Sequence, residues 1–319
     1  MKKWIFLGIA VVLFVLAVVA ALFFFKNYKK PGPQGYTPVT PDQTSEKVTL
    51  PWIEVVRPTV FLVDNTGATK ELQTGEEVNQ GDKIKTDENG VANIYFPDGS
   101  VARLDTNTEI TIDAASYDQS DKSLVVKIFV SIGKVWSKIV GLATPNSSWQ
   151  VESSNAVATV RGTAFGVQVI DGSTEVIGSE NNVSVQIKDA KNNILADTAV
   201  VGPDKYLKID NNFVTGVIEK KIMMQTAAQP VPATVKDMDW IQKAQTSDAL
   251  MLNLKANLPD PAQLKAFILQ MQSSVQQGLD QIKALQANPS LTPEMKQQLI
   301  TAQQQLNQLQ LLGVTPTVK

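Results

Sequence analysis

The sequence predicts a mainly β protein. The expected core is an antiparallel β-sandwich or jelly-roll-like double sheet, with an apolar N-terminal helix before it and an α-helical hairpin or small bundle after it. Three observations predict this. Short apolar–polar alternations recur from Ile53 to Ile209, separated by Gly, Asp and Asn turns, with no amphipathic helix between them. Successive side chains of a strand point to opposite faces, so such runs read as half-buried strands, and many in close succession read as packed antiparallel sheets. Residues 4–25 carry no charge, and beyond Val235 the apolar residues fall at helical spacing.

Residues 1–3 form a short stub. Trp4 to Phe25 is 22 residues with no charge and one glycine. As a helix it is ~33 Å long, enough for a hydrocarbon core of ~30 Å. Lys2 and Lys3 precede it; Tyr28 and Lys26, Lys29 and Lys30 follow at interface depth. A cleaved signal peptide is the alternative. However, Leu22 to Phe25 prolong the apolar run past the small residues Ala17 to Ala20, unlike a polar cleavage region. The expectation is a single-pass signal anchor. Its flanking lysines are close to balanced and leave the orientation open. Residues 26–51 carry Pro31, Pro33, Pro38, Pro41 and Pro51 and read as a semi-extended tether.

Residues 52–226 are the expected β domain. Strands are predicted over Ile53–Val63, Val91–Phe96, Val101–Leu104, Glu109–Ile112, Leu124–Val130, Val135–Val140, Trp149–Val151, Val157–Arg161, Phe165–Ile170, Glu175–Ile177, Val183–Ile187 and Tyr206–Ile209. Trp52, Trp136 and Trp149 read as core or rim packing. Residues 227–234, with Pro230 and Pro232, read as a linker to a Gln-rich helical region, 235–319.

In that region Lys236 to Ala256 has an imperfect stripe of Met238, Ile241, Leu250, Leu252 and Leu254. Asp260-Pro261 is an N-cap followed by a first-turn proline, a strong helix start. Leu264, Ile268, Met271, Val275, Leu279, Ile282 and Leu285 follow at spacing three and four up to Asn288-Pro289. Thr292-Pro293 starts another helix with Met295, Leu299, Leu306 and Leu309, ended by Gly313. The short connection favours an antiparallel hairpin. Sixteen glutamines lie between Gln242 and Gln310 and make its outer face polar and nearly uncharged. The stripes either cover each other or offer a seam for partner helices or self-association.

Composition narrows the chemistry. A net charge of −2 over 319 residues gives no reason to expect nucleic acid. The chain has no Cys and no His. That removes disulfides, a lipoprotein anchor, imidazole bases, Ser-His-Asp and Cys-His arrangements and His/Cys zinc sites. Ser131 and Lys134 match S-x-x-K, but strands around a turn at Gly133 need not bring the two side chains together. Asp98, Asp105, Glu109 and Asp113 read as turn and strand-end carboxylates of a solvated face. The Asp118–Asp121 and Asp171–Ser173 turns lack EF-hand spacing. No enzyme activity, cofactor or metal is expected.

Three motifs carry a family resemblance. They are Gly81-Asp82-Lys83-Ile84-Lys85-Thr86, then Phe96-Pro97-Asp98-Gly99-Ser100, then Val160-Arg161-Gly162-Thr163-Ala164-Phe165. Together they resemble the FecR domain family over Trp52 to about Ile209, about half the chain. The resemblance implies an extracytoplasmic β domain, which would place everything after Lys30 outside the membrane. The family is best known for envelope regulators with a cytoplasmic anti-sigma region before the membrane helix. With only Met1 to Lys3 there, this sequence departs from that plan. The expected function is a membrane-anchored extracytoplasmic binding or scaffold module without chemistry, its partner an envelope polymer or a membrane protein. The alternative is an envelope sensor that signals through a separate membrane partner. The candidate ligand-binding residues are Arg161, Thr163 and Asp98. Arg161 would either pair with a carboxylate, such as that of the Asp98 turn, or present its guanidinium to an anionic ligand. Gly162 after it suggests a bulge or a close backbone approach.

Overall fold

The computed structural model describes residues 50–311, apart from Asn65, 141–143, Asp237, 258–259 and 288–291, and describes no side chains beyond Leu306. The predicted span Trp4–Phe25 and nearly all of the tether lie outside the described residues. Among the described residues no helix is long and apolar enough to cross a membrane. The described residues divide into two compact units, one that runs to Lys265 and one that begins at Ala266.

The first unit is β-rich. Its strands in chain order are β1 (Trp52–Arg57), β2 (Val60–Val63), β3 (Thr69–Glu71), β4 (Lys83–Thr86), β5 (Val91–Tyr95), β6 (Val101–Leu104), β7 (Glu109–Tyr117) and β8 (Leu124–Lys138), followed by β9 (Ser148–Glu152), β10 (Ala156–Val160), β11 (Ala164–Ile170), β12 (Ser173–Gly178), β13 (Val183–Lys188), β14 (Ile194–Val201), β15 (Lys205–Ile209) and β16 (Gln229–Pro230). Sheet I has the order β1-β5-β6-β8-β11-β12-β15-β16 and is antiparallel throughout. Sheet II has the order β3-β2-β4-β7-β8-β9-β10-β13-β14. The expectation of purely antiparallel pairing fails at one place, because β8 and β9 run parallel, Val125 beside Ser148.

Both sheets share β8. Leu124 to Ile132 pair within sheet II and Gly133 to Lys138 within sheet I. Two strands around a turn were expected here; one continuous strand passes from sheet to sheet instead. Gly133 makes the passage, with φ +100. A Cβ there would collide with Thr108 and lie 2.6 Å from the Asn107 carbonyl oxygen, so only glycine fits in both conformation and space. A short relay braces the crossing. The Thr86 Oγ1 accepts from the Thr108 N–H at 2.9 Å and donates to the Asp105 carbonyl at 2.7 Å, while the Thr108 Oγ1 accepts from the Lys134 N–H at 2.9 Å. Ile84, Ile94, Leu104, Ile110, Ile128, Val151, Ala158, Phe165 and Val167 fill one core with side chains of both sheets, and Phe96 packs edge-on against Trp149 at 4.8 Å. The run expected as a single strand over Ile53–Val63 is broken at Pro58 into β1 and β2.

Helix α1 (Asn211–Ile218) follows, its first turn closed by Asp210, whose Oδ1 accepts from the Phe213 N–H at 2.8 Å. Past the segment read as a linker, helix α2 (Asp239–Asn257) belongs to this unit, which runs on to Lys265. Helix α3 (Pro261–Gln286) starts as the Asp260-Pro261 signal predicts, with Asp260 accepting from the Ala262 N–H at 3.0 Å. Helix α4 (Pro293–Leu311) starts under Thr292. In the helical unit Val275, Ile282 and Leu306 are buried together, with Leu279, Leu299 and Ala302 against them. Met295, expected in the apolar stripe, is instead exposed, as is Ile300.

The crossing in β8 generates a stability prediction. Gly133→Val combines left-handed strain with a backbone collision and is expected to cost about 3 kcal/mol or more in urea unfolding of the β unit. An unchanged midpoint would mean that the crossing is held without the glycine.

Candidate functional site

The site grows from the alternation of sheet I. Ile53, Ile94, Ala102 and Phe165 point into the core. Their neighbours point outward, and register aligns them: Glu54 opposite Asn93, Asn93 opposite Arg103, Arg103 opposite Trp136, Trp136 opposite Gly166 and Gly166 opposite Ile177. An outer sheet face is ordinarily wet, yet Glu54, Asn93, Arg103, Trp136 and Lys138 are all buried. Helix α2 lies over the part of this face that holds Arg103 and Trp136. Trp240, Ile241 and Ala244 pack on Trp136, Ala164 and Ile177. The Trp240 indole sits over Gly166, where a Cβ would come within 2.8 Å of it, and meets Trp136 edge-on at 6.1 Å.

A buried charge pair pins the helix. Asp248 Oδ1 lies 2.5 Å from Arg103 Nη1, and Oδ2 accepts from the Trp136 Nε1–H at 2.8 Å. Burial pushes the Asp248 carboxyl up, while Arg103, the indole N–H and Lys138 pull it back toward the charged form. Lys138 pairs with Glu180 at 2.5 Å. At the end of α2 the Lys255 ammonium donates to the Asp98 carbonyl. Beside this pair, Glu54 Oε2 accepts from the Tyr95 hydroxyl at 2.7 Å and from Asn93 Nδ2 at 2.8 Å. Burial, then the Glu54 charge, raises the Tyr95 phenol well above its usual value. Trp52 stacks on Tyr95 at 4.5 Å, with the Lys265 ammonium 5.6 Å from the Trp52 ring centre. The satisfaction is incomplete. Arg103 Nε and Nη2, Gln168 Oε1 and Trp240 Nε1 are buried and find no hydrogen-bond partner among the described residues.

Of the three residues expected to bind a ligand, Asp98 and Thr163 flank the segment Ile139–Val140, where Ser100 Oγ accepts from the Val140 N–H at 3.2 Å and the Thr163 carbonyl from the Ile139 N–H at 2.8 Å. Asp98 accepts from the Ser100 N–H at 2.8 Å and hydroxyl at 2.7 Å, and burial raises its carboxyl. Thr163 is buried, its Oγ1 accepting from the Asn181 N–H at 2.9 Å. Arg161 is exposed and makes no ion pair among the described residues, so the pairing with Asp98 does not form. Gly162, with φ +103, gives its carbonyl to Asn181 Nδ2 at 2.9 Å. Ser131 is exposed and Lys134 pairs with Asp105 at 2.9 Å. Sequence reasoning missed Arg103 and Asp248. The available signal for Arg103 was its place in Val101-Ala102-Arg103-Leu104, one charge in a strand with every side chain buried. Asp248, 145 positions away, left no such signal.

A second buried charge cluster lies on sheet II. Glu152 pairs with Lys188 at 2.7 Å and Lys127 at 2.9 Å, and Lys188 also donates to the Ser153 carbonyl. Burial works to raise the Glu152 carboxyl, but the two lysines outweigh it and hold it below the usual range. Among the described residues no acidic cluster is arranged to hold a metal ion.

Residues 82–184 match the family model described as FecR protein. Two crystal structures of a "putative anti-sigma factor" from Parabacteroides distasonis ATCC 8503, at 1.65 and 2.50 Å resolution, also match. Each is 16% identical, with a TM-score of 0.32, over 40% of this chain and 55% of that chain. No curated protein matches.

Both charge clusters make predictions. Asp248→Ala leaves Arg103 buried and is expected to cost about 3–5 kcal/mol, whereas adding Arg103→Met should recover much of that loss. Additive losses in this double-mutant cycle would mean that the two charges do not interact. A lowered carboxyl contributes stability above its unfolded value, about 4.3, and loses it as pH falls through the folded value. Glu152→Gln should therefore flatten the fall in urea midpoint between pH 5 and 3. An acid limb as steep as in the parent would exclude Glu152 as a source of it.

Proposed function

From the FecR domain that the chain carries over residues 82–184, we propose a membrane-anchored extracytoplasmic module that binds or scaffolds and performs no chemistry. The observation that carries this reading is where the motif residues are spent. Thr86 braces the β8 crossing, Asp98 and Ser100 close a turn, and Thr163 ties to Asn181. These side chains build a frame, and a frame of this kind offers surfaces. The apolar run Trp4–Phe25 and the Pro-rich tether support the anchor, and the family supports the outside location of the β unit. Candidate partners are an envelope polymer or a membrane protein. Protease added to intact, wall-stripped cells is expected to remove the β unit; its full protection would overturn the location.

The family also favours a second reading, an envelope sensor that acts through a separate membrane partner. Affinity capture from intact membranes separates the two: polymer in the eluate supports scaffolding, and one stoichiometric membrane protein supports sensing. Self-association belongs to either reading. Leu269, Met295 and Ile300 are exposed on helices whose shared core, among the described residues, is small, and two helices alone are marginal in water. Sedimentation of the full chain in detergent is expected to show mass rising with concentration. A monomer at every concentration would exclude pairing through these helices.

A further inference from the structure

The helix on sheet I fits its place imperfectly. Along α2 the buried residues are Trp240, Ile241, Ala244, Ser247, Asp248 and Met251, a stripe with two polar members, while Leu252 remains exposed. The face beneath has the marks of a docking surface: a cradle over Gly166 that takes an indole, and an arginine more than nine-tenths buried whose fork is only half used. Asp248 engages Nη1 alone, and Nε and Nη2 of Arg103 have no partner among the described residues. A guanidinium binds a carboxylate best through two parallel hydrogen bonds.

We propose that the outer face of sheet I docks an amphipathic helix of a partner protein, and that α2 is its exchangeable resident. The chemistry of the partner is written in α2. It presents an indole, a small residue four positions on and a carboxylate eight positions on, which lie along one side of a helix. A partner whose carboxylate reaches Nε or Nη2 of Arg103 gains hydrogen bonds that α2 does not make. A second copy of this chain would bring the same Asp248 and no such gain, so the occupant is a different protein. Exchange has to overcome a tethered competitor, since a linked helix acts at an effective concentration near the millimolar range. This inference deepens the reading of the β unit as a binding module by naming its surface and the kind of partner.

The probe is a fluorescein-labelled synthetic peptide of residues 235–257, titrated into the full chain and followed by anisotropy. The expected result is binding at least tenfold tighter to the Asp248→Ala chain, whose resident is weakened, than to the parent. Arg103→Met in the chain, or Asp248→Ala in the peptide, should abolish it. No binding to either chain, or equal binding to both, overturns the proposal. A mass of the Asp248→Ala chain without peptide that is twice the parent's at the same concentration overturns it too, because the occupant is then a second copy. Hydrogen exchange of the parent chain needs no variant: α2 amides should exchange at least a hundredfold faster than those of β8 and β11. Exchange of α2 only together with those strands would make it a fixed part of the fold. These readouts are the same on either side of a membrane, so they succeed or fail apart from the proposed location.

Discussion

The β unit depends on one strand serving two sheets. A sandwich needs its layers held in register, and here β8 fixes that register covalently: nine residues lie in one sheet and six in the other. The crossing works because Gly133 has no Cβ where the Thr108 backbone passes. The Thr86–Thr108–Lys134 relay then satisfies polar groups that a break in the ladder would orphan. The positions of β6 and β11 on one side, and of β7 and β9 on the other, follow from that strand. Arg103 and Trp136 become neighbours only because β6 is laid beside the sheet I half of β8.

Local patterns were legible in the sequence. Alternation in Val183–Ile187 and Val91–Phe96 marks real strands, and Asp260-Pro261 and Thr292-Pro293 mark real helix starts. Their common cause is short range: side-chain period, capping and turn chemistry act within a few residues. Long-range facts were not legible. Parallel β8–β9 pairing is set by how the chain returns, not by either strand's own pattern. Strand β14 carries no clean alternation, because Ile194, Asp197 and Val200 are exposed on it. Helix α2 was foreseen, yet its place on the sheet was not, since its stripe mixes Asp248 and Ser247 with Trp240 and Met251. Burial of a carboxylate becomes intelligible only beside the guanidinium that faces it.

The candidate site was the least legible part for the same reason. The motif residues Asp98, Thr163 and Gly162 stand out because turns constrain residue type strongly. Their prominence reflects backbone geometry: each holds a loop through hydrogen bonds to neighbours. A surface for another helix demands less. It needs shape, one well-placed charge and an absent side chain, which here are Trp136, Arg103 and Gly166. None of these is unusual alone, and they come together only across β6, β8 and β11.

The order of α2 in the chain has a consequence for biosynthesis. Strand β15 ends at Ile209 and α2 at Asn257, so the main strands of sheet I leave the ribosome ahead of the helix that covers them. At ordinary elongation rates of about 5–20 residues per second, that lag lasts about 2–10 s. Throughout it, Arg103, Trp136 and Gly166 have been made and the helix that covers them has not. A helix that reached this face within that interval would meet no resident competitor.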